Sequence, residues 1–265
     1  MAPGTDKTFT VVAGGHRRTY VVHAPKPLPA GRLPAVLAFH GAGDTAAGME
    51  KETGLDATAD AHGFFAVYPQ GYEDTWNEGA GHTPAEQAGI DDVGFTAALI
   101  AQLDRTLPVD PGAIAATGFS NGALLVDDLG CRLASSLAVV APVAGPLPVS
   151  VSAACRPSRP VSVLAFHGTA DSGIPYGGGA FPGVGGGTTV LSAPAAAARW
   201  AQLDHCTTTR RASPTGGYSI TTYGGCAGGA SVALYTIAGG PHAWPHARGL
   251  DANAVLWSFL RAHRR

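Results

Sequence analysis

Ser120 lies in a sequence that could make its hydroxyl group a nucleophile. Residues 118–122 read Gly-Phe-Ser-Asn-Gly, the G-x-S-x-G pattern in which a tight turn from strand to helix exposes the serine oxygen. The flanking elements are predicted: an apolar strand over residues 113–117 and a helix over 122–133 with leucines at helical spacing. The alternative is an ordinary surface turn, because a chain with 37 glycines matches this pattern by chance.

A serine hydroxyl needs an oriented base, and the chain offers a histidine and a carboxylate at suitable positions. Asp171 lies five residues beyond a predicted strand at 161–166, and His242 lies five residues beyond another at 232–237. The order serine, acid, histidine is the one that this serine turn requires. We therefore expect Ser120 to attack a carbonyl, His242 to take and return its proton, and Asp171 to orient the imidazole.

Other ionisable residues fit these roles less well. His40 and His167 each follow a predicted strand, but both precede Asp171 and would break the chain order as bases. A structural role under the oxyanion loop is predicted for both. Asp91 and Asp92 begin a predicted helix, where carboxylates stabilise the helix dipole, so Asp92 is a weak alternative for the acid.

A metal site is a further alternative at the histidine. His242 and His246 have the four-residue spacing that binds zinc on a helix. Pro245 lies between them and disfavours a helix there. No metal ion and no other cofactor is therefore predicted.

A tetrahedral intermediate needs hydrogen-bond donors for its negatively charged oxygen. One predicted donor is the backbone N–H of Asn121, the residue after the serine. The second is expected in the loop after a predicted strand at 35–39, where residues 40–44 read His-Gly-Ala-Gly-Asp. We assign it to Ala42, because small residues let the backbone approach a substrate.

The elements that must position these residues alternate between strand and helix, which indicates an α/β fold with a mainly parallel central sheet flanked by helices. No linker divides residues 1–265, so a single domain is predicted. Further strands are predicted at 8–12, 19–23, 64–68 and 137–141, and further helices at 49–62, 92–107, 195–203 and 252–263. Residues 176–189 hold seven glycines and are predicted to form a surface loop, adjoining the rim of the active site.

Composition excludes several classes of partner. The net charge is −2 with no basic stripe, which argues against nucleic acid as a partner. No apolar stretch is long enough for a membrane span. Nothing in the sequence requires more than a monomer. The first residues lack the features of a signal peptide, so the protein is either intracellular or exported with its leader removed.

Four cysteines favour export. They permit three pairings, of which the local one joins Cys131 to Cys155 and Cys206 to Cys226 and closes loops of about 25 and 21 residues. The alternative is four free thiols. Cys206 and Cys226 bracket a polar stretch that is predicted to be a hairpin.

Seven blocks of residues, taken in order, resemble one known family. They are 40–43 (His-Gly-Ala-Gly), 68–71 (Tyr-Pro-Gln-Gly), 76–77 (Trp-Asn), 91–95 (Asp-Asp-Val-Gly-Phe), the serine turn at 118–122, 167–171 (His-Gly-Thr-Ala-Asp) with 175–176 (Pro-Tyr), and 239–245 (Gly-Gly-Pro-His-Ala-Trp-Pro). The series resembles the secreted polyhydroxybutyrate depolymerase-like and feruloyl/acetylxylan esterases, which are α/β-hydrolases. The resemblance implies an extracellular carboxylic-ester hydrolase without metal or organic cofactor. It also implies the triad Ser120, Asp171 and His242.

Within that family, the Ser-Asn-Gly of the serine turn is more similar to the feruloyl/acetylxylan branch than to the depolymerases. His246 stands where the family usually has glycine, which leaves the shape of the pocket there open. Trp76 and Trp244 are candidates for an acyl pocket, because flat rings bury much area against planar groups; the alternative is a packing role.

The expected protein is a secreted serine esterase that forms an acyl-enzyme on feruloyl or acetyl esters of plant polysaccharide fragments. Its partner would be a small or oligosaccharide-linked ester. One alternative is a hydrolase of short-chain polyhydroxyalkanoate esters. Another is a binding protein that has the fold without catalysis, although such relatives usually lack the serine or the histidine.

Overall fold

The computed structural model describes residues 1–79, 82–183, 187–212, 216–245 and 249–265. Within these residues one ten-stranded sheet forms the centre. In spatial order its strands are β1 (Thr5–Ala13), β2 (His16–Ala24), β4 (Phe65–Pro69), β3 (Leu33–Phe39), β5 (Val109–Phe119), β6 (Val139–Val143), β7 (Ser162–Gly168), β12 (Val232–Ile237), β11 (Tyr218–Gly224) and β10 (Thr208–Arg211). The strands from β4 to β12 pair in parallel, and an antiparallel hairpin flanks them at each edge. The predicted α/β fold class is confirmed.

Helices cover both faces of the sheet, which is why the central strands are apolar throughout. One face carries α4 (Asp92–Thr106), α5 (Asn121–Arg132) and α7 (Ala193–Leu203), and the other carries α1 (Ala46–Thr53), α2 (Leu55–His62) and α8 (Ala252–Ala262). Strand β3 shows the arrangement, because Leu37 and Phe39 pack in the first core and Val36 and Ala38 in the second. Two short helices, α3 (Pro84–Gln87) and α6 (Val149–Ala154), lie in connections.

The order of the parallel strands reverses beside β3. The chain passes from β3 to β4 on one side and returns to place β5 on the other. In open α/β sheets the loops at such a reversal diverge and leave a crevice beyond the carboxyl ends of the strands. The serine turn after β5 and the loop of residues 40–44 after β3 therefore lie at the same crevice.

The helix predicted over residues 49–62 is two helices. Gly54 adopts a left-handed conformation with φ of +57°, where its N–H donates to the Glu50 carbonyl and ends α1. Glycine reaches this region without the steric penalty of other residues, so it ends one helix and begins the next. The predicted helix end at Gly63 is confirmed, with φ of +73°.

The glycine-rich segment has more structure than the sequence predicts. A two-stranded antiparallel ribbon joins β8 (Gly179–Phe181) to β9 (Thr188–Val190), and residues 184–186 lie outside the described part. Phe181 and Val190 are buried against Leu124 and Ile174. Phe181 and Val190 therefore hold this ribbon on the body of the protein, and the prediction of a plain surface loop is wrong for the two strands.

The predicted disulfides are confirmed. Cys131 bonds to Cys155, joining the end of α5 to the residue after α6, and Cys206 bonds to Cys226 across the hairpin of β10 and β11. The predicted hairpin is also confirmed. No helix within the described residues has the length and apolar character that a membrane crossing requires.

Removing a disulfide is expected to lower the free energy of unfolding. The bond from Cys131 to Cys155 spans 24 residues and is buried, so the change of both cysteines to alanine is expected to cost about 3 kcal/mol. Urea unfolding followed by circular dichroism measures the loss. A second double variant changes Cys206 and Cys226, whose span of 20 residues predicts a similar loss of stability. An unchanged unfolding midpoint in both double variants would contradict the prediction.

Candidate active site

Ser120 occupies a strained turn between β5 and α5. Its φ and ψ are +55° and −119°, a region that residues with side chains rarely adopt. The turn is held by backbone bonds: the Ser120 N–H donates to the Val143 carbonyl at 3.0 Å, and the Ser120 carbonyl accepts from Ala123 N–H at 2.9 Å. The surrounding sheet and helix thus impose a conformation that presents the side chain beyond the strand end.

The glycines on either side of Ser120 are required by close backbone contacts. A Cβ atom on Gly118 would overlap the backbone of Gly122, and one on Gly122 would overlap the carbonyl groups of Phe39 and His40. The serine turn therefore packs directly against the end of β3. This is the physical reason for the G-x-S-x-G spacing in this chain.

Asp171 and His242 meet at the adjacent strand ends. His242 Nδ1 lies 2.9 Å from Asp171 Oδ2, and the other carboxylate oxygen accepts from the N–H groups of Gly173 and Ile174, each at 2.8 Å. Their loops are bonded to each other, because Ala170 N–H donates to the Gly240 carbonyl at 3.0 Å. The two loops thus form one unit that fixes the carboxylate and the imidazole together.

The Asp171 carboxylate is kept ionised by its neighbours. Burial opposes its charge, but hydrogen bonds from His167 and His242 outweigh that effect and hold the pKa of Asp171 well below its usual range. His167 Nε2 lies 3.3 Å from the same oxygen that faces His242, and 2.9 Å from the Ile174 carbonyl. An ionised Asp171 accepts the Nδ1–H of His242 and leaves Nε2 free to act as a base.

Ser120 and His242 line one cavity of about 260 Å³. Both predicted oxyanion donors, Asn121 and Ala42, belong to residues that line it as well. Asn121 is the first residue of α5, so its N–H has no acceptor within the helix and is available to a ligand. The rest of the wall is formed by Glu78, Thr83, Leu124, Ser172, Gly173, Ile174, Phe181, Pro182, Gly183 and Thr188.

His40 supports the loop that carries Ala42. Its Nδ1–H donates to the Gly41 carbonyl at 2.7 Å, and its Nε2 accepts from Gly71 N–H at 2.9 Å. Burial lowers the pKa of His40, so the ring is neutral and both bonds persist at neutral pH. The predicted structural role under the oxyanion loop agrees with these contacts.

Comparison with curated proteins gives relatives named as esterases. A Nocardia uniformis subsp. tsuyamanensis protein, "Putative esterase NocK", is 36% identical over 67% of this chain and 52% of its own length. "Feruloyl esterase B" of Piromyces equi is 37% identical over 63% of this chain and 31% of its own length. The chain thus spans about half or less of the length of these curated relatives. No protein-family model matches it.

Among solved structures, an acetyl xylan esterase from Aspergillus awamori superposes with a TM-score of 0.72. The match covers 98% of this chain and 100% of that chain at 12% sequence identity, so it shows a shared fold. The chain has the α/β-hydrolase fold and is related in sequence to proteins named as esterases. The predicted fold is confirmed. The serine turn, the acid loop and the histidine loop follow β5, β7 and β12 at one edge of the sheet.

The structure does not bring the two predicted substrate-contacting tryptophans to the cavity that Ser120 lines. Trp76 is completely buried, and its Nε1–H donates to the His40 carbonyl at 2.8 Å. Trp244 is 6% exposed and donates to Asn253 Oδ1 at 3.1 Å. The substrate contacts predicted for both are therefore wrong. Trp76 packs under the oxyanion loop against His40 and Phe39, and Trp244 packs in the core against α8.

The alternatives for base and acid have other roles. His167 lies behind Asp171, so the predicted position under the oxyanion loop is wrong for this histidine; its bond to Asp171 makes it a support of the acid. Asp92 forms an ion pair with Arg18 at 2.8 Å and accepts from Asn77 N–H. His246, which the zinc alternative needs, lies outside the described residues.

Glu78 is a cavity residue that the sequence does not reveal. It is 2% exposed, and its Oε2 accepts a hydrogen bond from Asn121 Nδ2 at 2.8 Å. The same Asn121 side chain accepts from Trp76 N–H through its Oδ1, also at 2.8 Å. Asn121, the residue after Ser120, thus holds Glu78 in the cavity wall. Only its position next to residues 76–77, Trp-Asn, could have drawn attention to it.

Proposed function

We propose that this chain is a serine carboxylic-ester hydrolase that acts through an acyl-enzyme. The observation that carries the proposal is the 2.9 Å bond between His242 and Asp171 at the wall of the cavity that Ser120 also lines. Serine, carboxylate and histidine in this chain order, at one edge of a sheet of the α/β-hydrolase fold, form the machinery of acyl transfer. The esterase names of the sequence relatives support the same reaction class.

The proposed reaction has two stages. In the first, Ser120 Oγ attacks the ester carbonyl as His242 Nε2 takes its proton, and the tetrahedral intermediate collapses when His242 protonates the leaving alcohol. In the second, water attacks the carbonyl carbon of the acyl-enzyme while His242 accepts a proton from that water. Ser120 Oγ then leaves the acyl group and takes the proton back from His242. The backbone N–H groups of Asn121 and Ala42 stabilise the oxyanion in both stages.

We propose feruloyl or acetyl esters of plant polysaccharide fragments as the substrates. A relative is named feruloyl esterase, and a protein of the same fold is titled acetyl xylan esterase. The cavity volume of about 260 Å³ agrees with an acyl group of modest size, and its lining includes both apolar residues (Leu124, Ile174 and Phe181) and polar ones (Glu78 and Thr83).

We further propose that residues 1–265 form one secreted catalytic domain that works as a monomer. Two disulfides support export, because such bonds persist in oxidising compartments. Both core clusters share the single central sheet, which supports one domain.

Acyl-enzyme formation is tested by mixing the protein with 4-nitrophenyl acetate at neutral pH. A burst of nitrophenol close to the enzyme concentration, followed by slower turnover, is expected if deacylation limits the rate. Rates on methyl ferulate, acetylated xylo-oligosaccharide and a hydroxybutyrate oligomer, measured on one preparation, then rank the acyl groups. Failure to hydrolyse any of these esters would contradict the proposed reaction, and preference for the hydroxybutyrate oligomer would contradict the proposed substrate.

A further inference from the structure

Glu78 places a buried carboxyl group in the wall of the catalytic cavity. It lies in the connection between β4 and α3, and its Oε2 is held by Asn121 Nδ2. Residues on both sides of Glu78 are held in place, because Thr83 Oγ1 donates to the Trp76 carbonyl at 2.8 Å and Asn77 N–H donates to Asp92 at 2.8 Å. Glu78 is therefore a rigid part of the wall and adjoins the residue whose N–H is the proposed oxyanion donor.

The surroundings of Glu78 are acidic. No ion pair includes it within residues 1–79, 82–183, 187–212, 216–245 and 249–265. The charged groups that act on it are Glu86 from α3 and Asp92 from α4, while His242 lines the same cavity. Burial, followed by the charge of Glu86, raises the pKa of Glu78 to about 8. At neutral pH the side chain is thus largely a carboxylic acid with an O–H group.

We propose that Glu78 is a substrate-binding residue whose neutral carboxyl group donates a hydrogen bond to an oxygen of the bound ester, and whose ionised form excludes negatively charged substrates. This inference rests on the proposed esterase function and assigns a specificity to the same site. A neutral acid in an enclosed site is a strong donor because its proton has little competition from water. The proton remains on Glu78 throughout the reaction, so the only covalent bonds that form or break are those of the ester hydrolysis described above.

Ionisation of Glu78 is expected to oppose catalysis. The tetrahedral intermediate carries a negative charge next to Asn121 N–H, and a carboxylate in the adjoining wall repels that charge. The same repulsion acts on a substrate whose acyl or alcohol part carries a carboxylate. We therefore infer that, as Glu78 titrates in alkaline solution, this site loses activity and discriminates against esters that carry a carboxylate.

The test compares pH profiles of kcat/KM for a matched pair of esters, 4-nitrophenyl butyrate and mono-4-nitrophenyl succinate, after subtraction of spontaneous hydrolysis. They differ at the far end of the acyl chain, which is a methyl group in one and a carboxylate in the other. With a pKa of about 8, the neutral form of Glu78 falls to roughly one thirtieth at pH 9.5. Wild-type kcat/KM on the butyrate is expected to fall at least 10-fold between pH 7.5 and 9.5.

Three variants separate the parts of the proposal. Glu78→Gln keeps a donor and cannot ionise, so it should lose the alkaline decline and, at pH 9.5, accept the succinate better than the wild type does. Glu78→Met has a similar length without a donor, so its kcat/KM on the butyrate should be about 10-fold lower at pH 7. Glu86→Gln keeps the capping box of α3 but removes a negative neighbour, so the alkaline decline should begin at lower pH.

The pH profiles and the rates of the variants can each overturn a stated part of the proposal. A wild-type profile that is flat to pH 9.5, or a Glu78→Gln profile that retains the wild-type decline, overturns the inference while Ser120-dependent turnover leaves the esterase function intact. Equal rates for Glu78→Met and wild type at pH 7 overturn the role as donor. Absence of turnover on the butyrate in the wild type at every pH refutes the proposed function itself. Circular dichroism before and after exposure to pH 9.5 verifies that the fold survives the measurement.

Discussion

Replacement of Ser120 by alanine is expected to lower kcat for ester hydrolysis by about 10⁶-fold. Without Oγ no acyl-enzyme forms, and the remaining rate comes from water attack helped by the oxyanion donors. The substitution keeps the Cβ atom and removes one oxygen, so the strained turn with φ of +55° is retained. Steady-state hydrolysis of 4-nitrophenyl acetate measures the loss.

A fluorophosphonate reagent gives a second measurement that does not depend on turnover. It should add one covalent label to the wild-type protein and none to Ser120→Ala, as read by mass spectrometry. The matched control is Ser135→Ala, because Ser135 is an exposed serine beyond the end of α5. This control should keep both activity and labelling. Residual activity above one hundredth of wild type in Ser120→Ala would show that another group is the nucleophile.

The arrangement of the proposed triad could be predicted because it depends on local patterns and on one topological rule. Each of the three residues follows an apolar run that forms a parallel strand, and the carboxyl ends of parallel strands share one edge of a sheet. Small errors in strand bounds did not matter: β7 ends at Gly168, two residues later than predicted, and Asp171 still lies in the loop that follows it. The disulfides were predictable for a similar reason, because each joins cysteines that are near in sequence.

The remaining features depend on contacts between residues that are distant in sequence. Trp76 was expected at the substrate because its ring is large and flat, but its burial is decided by His40 and Phe39, which belong to another strand end. Glu78 is one of 19 acidic residues in the sequence, and only its bond to Asn121 distinguishes it. The link from His167 to Asp171 likewise requires the fold of the acid loop, since chain order alone gave this histidine no role beside the acid.

Replacement of Asp171 by asparagine is expected to lower kcat by about 10⁴-fold while leaving the protein folded. The carboxylate accepts the Nδ1–H of His242 at 2.9 Å, which fixes the tautomer whose Nε2 acts as base. An asparagine amide that donates toward Nδ1 favours the opposite tautomer, and Nε2 then carries a proton and cannot accept one from Ser120. Full pH profiles of kcat measure the effect, and Asp104→Asn, at an exposed carboxylate paired with Arg32, is the matched control.

The same substitution should change how stability depends on pH. The pKa of Asp171 in the folded protein lies below its usual range, so its stabilising contribution is present above the ordinary carboxyl pKa of about 4 and is lost as the pH falls toward the folded value. Asp171→Asn is therefore expected to be less stable than wild type at pH 6, with a difference that narrows below pH 4. Urea unfolding at pH 6 and pH 3 measures both differences. A kcat loss of less than 10-fold, or a stability difference that is constant with pH, would show that Asp171 is not the ionised partner that holds His242 in place.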